Sequence, residues 1–520
     1  MAQNDVWLLI GLFVAAIPLI WLARRANIPY PIVLVLGGLV LGFVPWLPRV
    51  ELDPNLVLII FLPPLLYWES VTAPTDVMRA NAGQIWLLAI GLVTATTIAV
   101  AAVVHLAIPN FSWALAFVLG AIVAPTDELA SAPILERMRM PRHLIAIVEG
   151  ESLLNDASAL LLYAVAIQVA VTGVFHLAEG IERFLIAVFG GIALGLGIGR
   201  LAVIGWRRIT DVQLQGVISV VTPFLAYSLA QRLELSGVLA VVFTGIVVNR
   251  YSSEVITSQT RVQGVGFWES VVFLANALLF LLVGLQLHEV GQYVLAEYSW
   301  QTLLWWALLV NVTVIGTRFA WVMIQEFAPV IGGSSEHPEG DWKHAFITAW
   351  SGFRGAVSLA AALALPVVIA SGATLPRRHL IIFLTFTVIL VTLVGGGLLL
   401  PRIIRWLGVD ADTSEEDEDT RRAIVGMSQA ALKRLDEIEK SREIPSDEAL
   451  RLRRRYEHKR DHADGHPEEE AAVVAVEREL LKAERDALIV MRARGELDNT
   501  TQRRMQRVLD IAFERLRQHG

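Results

Sequence analysis

The chain has 520 residues, 55% of them apolar and 18% charged, with a mean hydropathy of +0.56, which excludes an ordinary soluble domain. The net charge of −7 says little because the charges are segregated: Lys343 is the only lysine before Lys433. No cysteine is present, so disulfides, thiolate metal sites and thiol nucleophiles are all excluded.

With about 20 residues taken per crossing, hydropathy predicts thirteen membrane spans. They lie near 6–23, 30–47, 54–70, 84–107, 113–135, 144–171, 184–204, 213–230, 235–249, 266–287, 300–324, 344–369 and 379–401. The first is not a cleavable signal peptide, since Arg24 and Arg25 follow its apolar run instead of preceding it. Basic residues orient the array. With the N-terminus outside, inner loops collect Arg24, Arg25, Arg79, Arg137, Arg139, Arg142, Arg207, Arg208, Arg250, Arg261, Lys343, Arg402 and Arg405. Outer loops keep Arg49, Arg183, Arg232, Arg377 and Arg378. The tail then lies in the cytoplasm.

Polar groups inside the spans are the informative ones, because an ionisable side chain at membrane depth is costly and marks an ion path or a buried pair. Glu69 closes the third span behind Pro63 and Pro64, which remove two backbone donors; it is either an interfacial carboxylate or part of a cation access path. His105, near an outer end, reads as interfacial. The fifth span carries Ala124-Pro125-Thr126-Asp127-Glu128. Pro125 cannot donate to the Ala121 carbonyl, so the helix should break there, and open backbone at that depth is tolerated only in a cavity or buried in protein. Asp127 sits in the break, against a half-helix end, while Glu128 points elsewhere, as a path or interface residue.

The sixth span opens with Glu149-Gly150-Glu151-Ser152-Leu153-Leu154-Asn155-Asp156-Ala157. On a helix Ser152 and Asp156 stand one turn apart with Asn155 beside them, so three oxygen-bearing groups share a face. In the tenth span Asn276 and Glu269 either line the same cavity or serve helix packing. The eleventh holds Arg318, with Asp127 or Glu128 as its expected partner. The twelfth carries Ser351-Gly352-Phe353-Arg354-Gly355, two glycines loosening a helix around a guanidinium that needs a carboxylate. Glu151 is the expected partner of Arg354, which leaves Asp156 free to exchange its proton.

The interrupted fifth and twelfth spans are seven apart, the pattern of two inverted six-helix repeats whose broken helices cross at a binding site. The fold class expected is therefore an all-α polytopic membrane protein. Residues 1–405 form the membrane domain, 406–420 an acidic linker and 421–520 a helical tail, possessing amphipathic periodicity at Val473, Val476, Leu480, Ala483, Ala487 and Val490 and a further helix from Asn499.

Phe61-Leu62-Pro63-Pro64, Ala124-Pro125-Thr126-Asp127, Gly150-Glu151-Ser152-Leu153-Leu154-Asn155-Asp156-Ala157 and Phe353-Arg354-Gly355 occur in order over residues 6–405. On these motifs the chain resembles the monovalent cation/proton antiporters, in the sodium/proton exchanger branch with an Asn-Asp pair in the sixth span. The resemblance implies a homodimer in the cell membrane, with early spans and the linking region at the interface and a mobile core around spans five, six and twelve. It implies that Asp156 binds the transported cation with Ser152, Asn155 and oxygens near Thr126 and Asp127, and that Glu151 and Arg354 support the core. One departure stands out: relatives usually have Asp-Pro-Val after the threonine, where this chain has Asp127-Glu128-Leu129.

The chemistry expected is exchange of Na+ (or Li+) for H+. Sodium is a hard ion suited to a carboxylate, a hydroxyl and a carbonyl, and cation and proton compete for Asp156 because either neutralises it. The neutral Asn155 leaves one exchangeable charge, hence one cation for one proton and no net charge movement. No cofactor is implied, and no nucleic-acid partner. A potassium/proton exchanger of the same architecture, a proton-coupled solute carrier, a channel and an intramembrane hydrolase are the alternatives. Against the last, the chain has no HExxH, no cysteine and no Gly-x-Ser-x-Gly.

Overall fold

The computed structural model describes the chain except residues 1–2, 27, 45–53, 174–176, 332–341, 370–371, 410–413, 442–445 and 462–466 and, beyond 494, all but isolated positions. Residues 1–412 form one compact unit and residues 413–520 another.

Each predicted span is built on a helix or on two half-helices. The first three are Gln3–Ala26, Tyr30–Gly42 and Pro54–Thr72. The fourth runs from Ala82 to Ala107 through a π-helical turn, Leu87–Leu92. The fifth is broken into Trp113–Val123 and Glu128–Arg137. The sixth to eleventh are Arg142–Thr172, Leu177–Arg208, Val212–Arg232, Gly237–Val255, Ser258–Glu297 and Trp300–Ile331. The twelfth is broken into Trp342–Trp350 and Ala356–Leu363, and the thirteenth runs from Arg378 to Leu407 through a second π-helical turn, Val391–Gly396. Among the described residues seven of these helices are long and apolar enough to cross a membrane by themselves, and there is no strand. Helices satisfy their own backbone, which is what a bilayer demands.

Side-chain caps punctuate the starts. Ser112, Asp211, Ser236 and Thr257 each accept from a backbone N–H three residues on. The twelfth span stops at Leu363, short of the expected 369, because Pro366 cannot continue a helix and disfavours helical backbone just before it. The tenth is far longer than expected, 40 residues.

The membrane unit sorts into two groups of helices. Spans one to three and seven to ten pack on one another, and spans four to six and eleven to thirteen form a second bundle. In the first, Gly191, Gly195 and Gly199 make a small-residue stripe at four-residue spacing that brings the seventh span against Ser236, Ala240 and Thr244 of the ninth. The Thr244 hydroxyl donates to the Gly195 carbonyl at 3.0 Å. Third and tenth spans face the twelfth across the seam between the groups.

In the second unit Ser414–Ser441 and Ser446–Asp461 form a helical hairpin. Arg453 joins its arms by donating to Asp436 at 2.5 Å and Glu439 at 2.7 Å. One helix runs to Leu407 and another begins at Ser414. Pro467–Ala493 is helical, with Val476, Leu480 and Val490 exposed. The helix predicted from Asn499 lies outside the described residues.

Candidate cation-binding site

The broken fifth and twelfth spans meet at their interruptions. The backbone N–H of Asp127 donates to the Phe353 carbonyl at 2.7 Å, bonding one break to the other. Gly355 makes the approach possible, since a Cβ there would run into the Asp127 carboxylate. Asp127 precedes the half-helix Glu128–Arg137 and lies against Gly355, which precedes Ala356–Leu363. A negative charge thereby faces two helix N-termini, where unsatisfied N–H groups and the dipole favour it.

The opposite half-helix ends expose carbonyls, and arginines serve them. Arg354 donates through Nε to the carbonyl of Val123, the last residue of Trp113–Val123, at 3.1 Å, and through Nη1 to that of Gly352. Its own N–H is taken by Thr392 Oγ1 in the second π-helical turn, at 3.1 Å. Arg318 donates to the carbonyls of Ala349 and Thr348, both at 2.9 Å, near the end of Trp342–Trp350.

The ion pair expected between Glu151 and Arg354 is corrected. Arg318 takes Glu151 in a two-pronged pair, Nη2 to Oε2 at 2.9 Å and Nη1 to Oε1, with both side chains buried. Arg318 also is not paired with Asp127 or Glu128. The reason is reach: Gly352 leaves its side-chain space to the Arg318 guanidinium, while the Arg354 guanidinium turns to backbone carbonyls and its Nη2 has no hydrogen-bond partner among the described residues.

Around the crossing, Ser152 Oγ donates to the Thr126 carbonyl at 2.9 Å and Thr126 Oγ1 to Glu151 at 3.1 Å. Asn155 Nδ2 donates to Thr126 Oγ1 at 2.7 Å. With its proton parked on a carbonyl, the Ser152 oxygen presents only lone pairs to whatever lies on its other side. Four of the expected cation-site residues, Thr126, Asp127, Ser152 and Asp156, line one pocket, together with Glu69, Asn276, Ser358, Leu65 and Val357. Asp156 is 4% exposed. Asn155 does not line it; its amide positions Thr126 instead. Glu128 is also outside the lining, and Glu69, expected as an access residue, is part of it, with Oε2 lacking a partner. Ser358 went unnoticed in the sequence, where a serine two residues past Ala356 carries no signal.

A buried carboxylate in one pocket with other carboxylates and with a hydroxyl oxygen whose proton is turned to a carbonyl is a donor set for a hard monovalent cation, and equally for a proton. The family model for the transmembrane sodium/hydrogen exchangers matches residues 10–406. The chain belongs to the sodium/hydrogen exchanger family.

Members are transporters, and this exchanger is a multi-pass integral membrane protein that trades monovalent cations for protons. It is 35% identical to an uncharacterized Na(+)/H(+) exchanger of Mycobacterium tuberculosis over 94% of this chain and 92% of that one. It is 31% identical to a sodium, potassium, lithium and rubidium/H(+) antiporter of Bacillus pumilus, over 77% of this chain and 63% of that one. Its fold resembles that of the sodium/proton antiporter of Methanocaldococcus jannaschii at pH 8, with a TM-score of 0.60, 19% identity and coverage of 78% of this chain and 100% of the other.

The crossing makes its own prediction. Gly355→Ala pushes a methyl group into the Asp127 carboxylate, so it should cost about 1–3 kcal/mol of stability by overpacking, lower the unfolding temperature and slow exchange. Gly216→Ala, at a helical position with open space, should leave exchange unchanged and hold or raise the unfolding temperature. Exchange assays and thermal unfolding of the two variants side by side check both.

Proposed function

We propose that the exchanger moves one Na+ (or Li+) against one H+, with Asp156 carrying each in turn. The observation that carries this reading is the placement of Asp156, buried beside the crossing of two broken helices and sharing a pocket with Ser152, Thr126 and Asp127. Ser152 Oγ, the Thr126 backbone and the Asp156 carboxylate supply oxygen ligands; Asp127, held at two helix N-termini, supports the site electrostatically. Asn155 is neutral, and the guanidinium groups of Arg318 and Arg354 are engaged by Glu151 and by backbone carbonyls. Asp156 is then the group whose charge changes over the cycle, and loading it with either cargo gives the same net charge.

The basic residues of the inner loops support an outside N-terminus and a cytoplasmic tail in the cell membrane, and the resemblance supports a homodimer. A second cation, potassium, is favoured by one finding, the breadth of ions in the name of the Bacillus pumilus relative.

The test uses purified protein in liposomes carrying a pH gradient, a pH dye and a potential-sensitive dye. Sodium should collapse the gradient without generating a membrane potential, and lithium and potassium added in turn rank the cations. A potential that builds with exchange would overturn the one-for-one stoichiometry.

A further inference from the structure

Asparagines set within the spans have visible work, with one exception. Asn155 gives its Nδ2 to Thr126, Asn249 to the carbonyls of Ser70 and Ala73, and Asn311 to the Ala307 carbonyl and the Thr387 hydroxyl. Asn276, at 0% exposure in the tenth span, has no hydrogen-bond partner on either Oδ1 or Nδ2 among the described residues. A carboxamide offers two donors and an acceptor oxygen with two lone pairs, and burying all of them unpaired is unfavourable. Apolar side chains of similar size would fill the position more cheaply.

Asn276 lines the same pocket as Asp156, Ser152 and Glu69, but from the other side of the seam. Asp156 and Ser152 belong to the bundle containing the broken helices; Asn276 belongs to the group of spans packed around the second and third. Two further polar atoms in the lining lack partners among the described residues, Glu69 Oε2 on the third span and Ser358 Oγ on the twelfth. Unpaired oxygens thus converge on the pocket from both of its walls.

We infer that Asn276 is a ligand of the transported cation, contributing its Oδ1 from the wall that faces Asp156, and that it helps set which monovalent cation is accepted. A proton on Asp156 forms a covalent O–H bond and needs no second oxygen. A bare cation needs several, so a neutral oxygen opposite the carboxylate favours cation over proton and fixes the spacing that distinguishes ions by radius. The inference rests on the reading of Asp156 as the exchanging carboxylate.

The experiment compares wild type, Asp156→Asn, Asn276→Leu and Asn276→Ala, as full chains in proteoliposomes and by thermal unfolding in sodium-free detergent. Both Asn276 variants should raise the apparent KM for sodium about five- to tenfold, the scale of one neutral polar contact, and change the order of preference among lithium, sodium and potassium. The leucine variant should unfold at the same or a higher temperature than wild type without sodium, because it removes an unpaired buried amide. KM and cation preference unmoved in both variants would overturn the inference alone. So would a lowered sodium-free unfolding temperature, or lost folded protein, in both, since that marks a packing role. Exchange surviving in Asp156→Asn would remove the reading of the site and this inference with it.

Discussion

Asp156→Asn is expected to abolish sodium-driven proton movement while the protein stays folded. The substitution keeps the shape of the side chain and removes both its charge and its capacity to take up a proton. At 4% exposure the residue has little bulk water to fall back on, so nothing substitutes for the lost charge. The physical demand is on the empty state. An ionised carboxylate at the bilayer centre costs at least about 2.5–3.5 kcal/mol on insertion scales. That penalty corresponds to roughly a 70–400-fold bias against crossing unloaded, which couples the two fluxes. A second readout follows from binding linkage. Sodium at about 100 times its Kd should stabilise wild type by about 2.7 kcal/mol and the variant not at all. Stabilisation by sodium that persists in the variant, together with intact exchange, would show that another group carries the cation.

Arg318→Met should be the most damaging substitution for the fold itself. It strips a buried Glu151 of its only guanidinium partner among the described residues and leaves the Thr348 and Ala349 carbonyls without their donor. Removing one half of a buried pair typically costs about 3–5 kcal/mol, a large share of a protein's whole stability. Arg318→Lys should recover only part of it, because a point charge cannot serve two carboxylate oxygens and two carbonyls as a planar fork does. Arg318→Met combined with Glu151→Leu should be more stable than Arg318→Met alone, since no unpaired charge remains. Arg354→Met, which loses contacts to backbone carbonyls and no carboxylate pair, should be milder. Yields of monodisperse protein and unfolding temperatures across this series decide the ranking, and an Arg354 variant worse than the Arg318 variant would contradict the pairing.

That pairing is also where sequence reading and structure parted. Hydropathy located the spans because length and apolarity are one-dimensional properties, and the two interruptions were visible because Pro125 and Gly352 act on their own backbone. Arg318 and Glu151 are 167 positions apart, and nothing in one dimension tells which way each helix face is turned. Reasoning from charge alone also counted only carboxylates as partners for Arg354. The carbonyls left open by a broken helix compete for the same donors, and Val123 and Gly352 took them. The bond from Asn155 to Thr126 was hidden for a similar reason: one step along a helix turns a side chain by about 100°, and adjacency to Asp156 does not tell which neighbour the amide meets.

The bond from Asp127 N–H to the Phe353 carbonyl has a mechanical consequence. The two interrupted helices are fastened at their midpoints and cannot slip past one another without breaking it, so they travel as one piece. If the pocket turns from one aqueous side to the other by sliding, we propose that it slides along the contact with the third and tenth spans. The lining there is formed by Leu65 and Val357, whose dispersion contacts have no preferred direction, and by Glu69 Oε2 and the Asn276 amide, which have no hydrogen-bond partner within the protein among the described residues. On that proposal the grip is on the Asp156 side of the pocket and the slip plane on the other, an arrangement in which movement breaks few bonds within the protein.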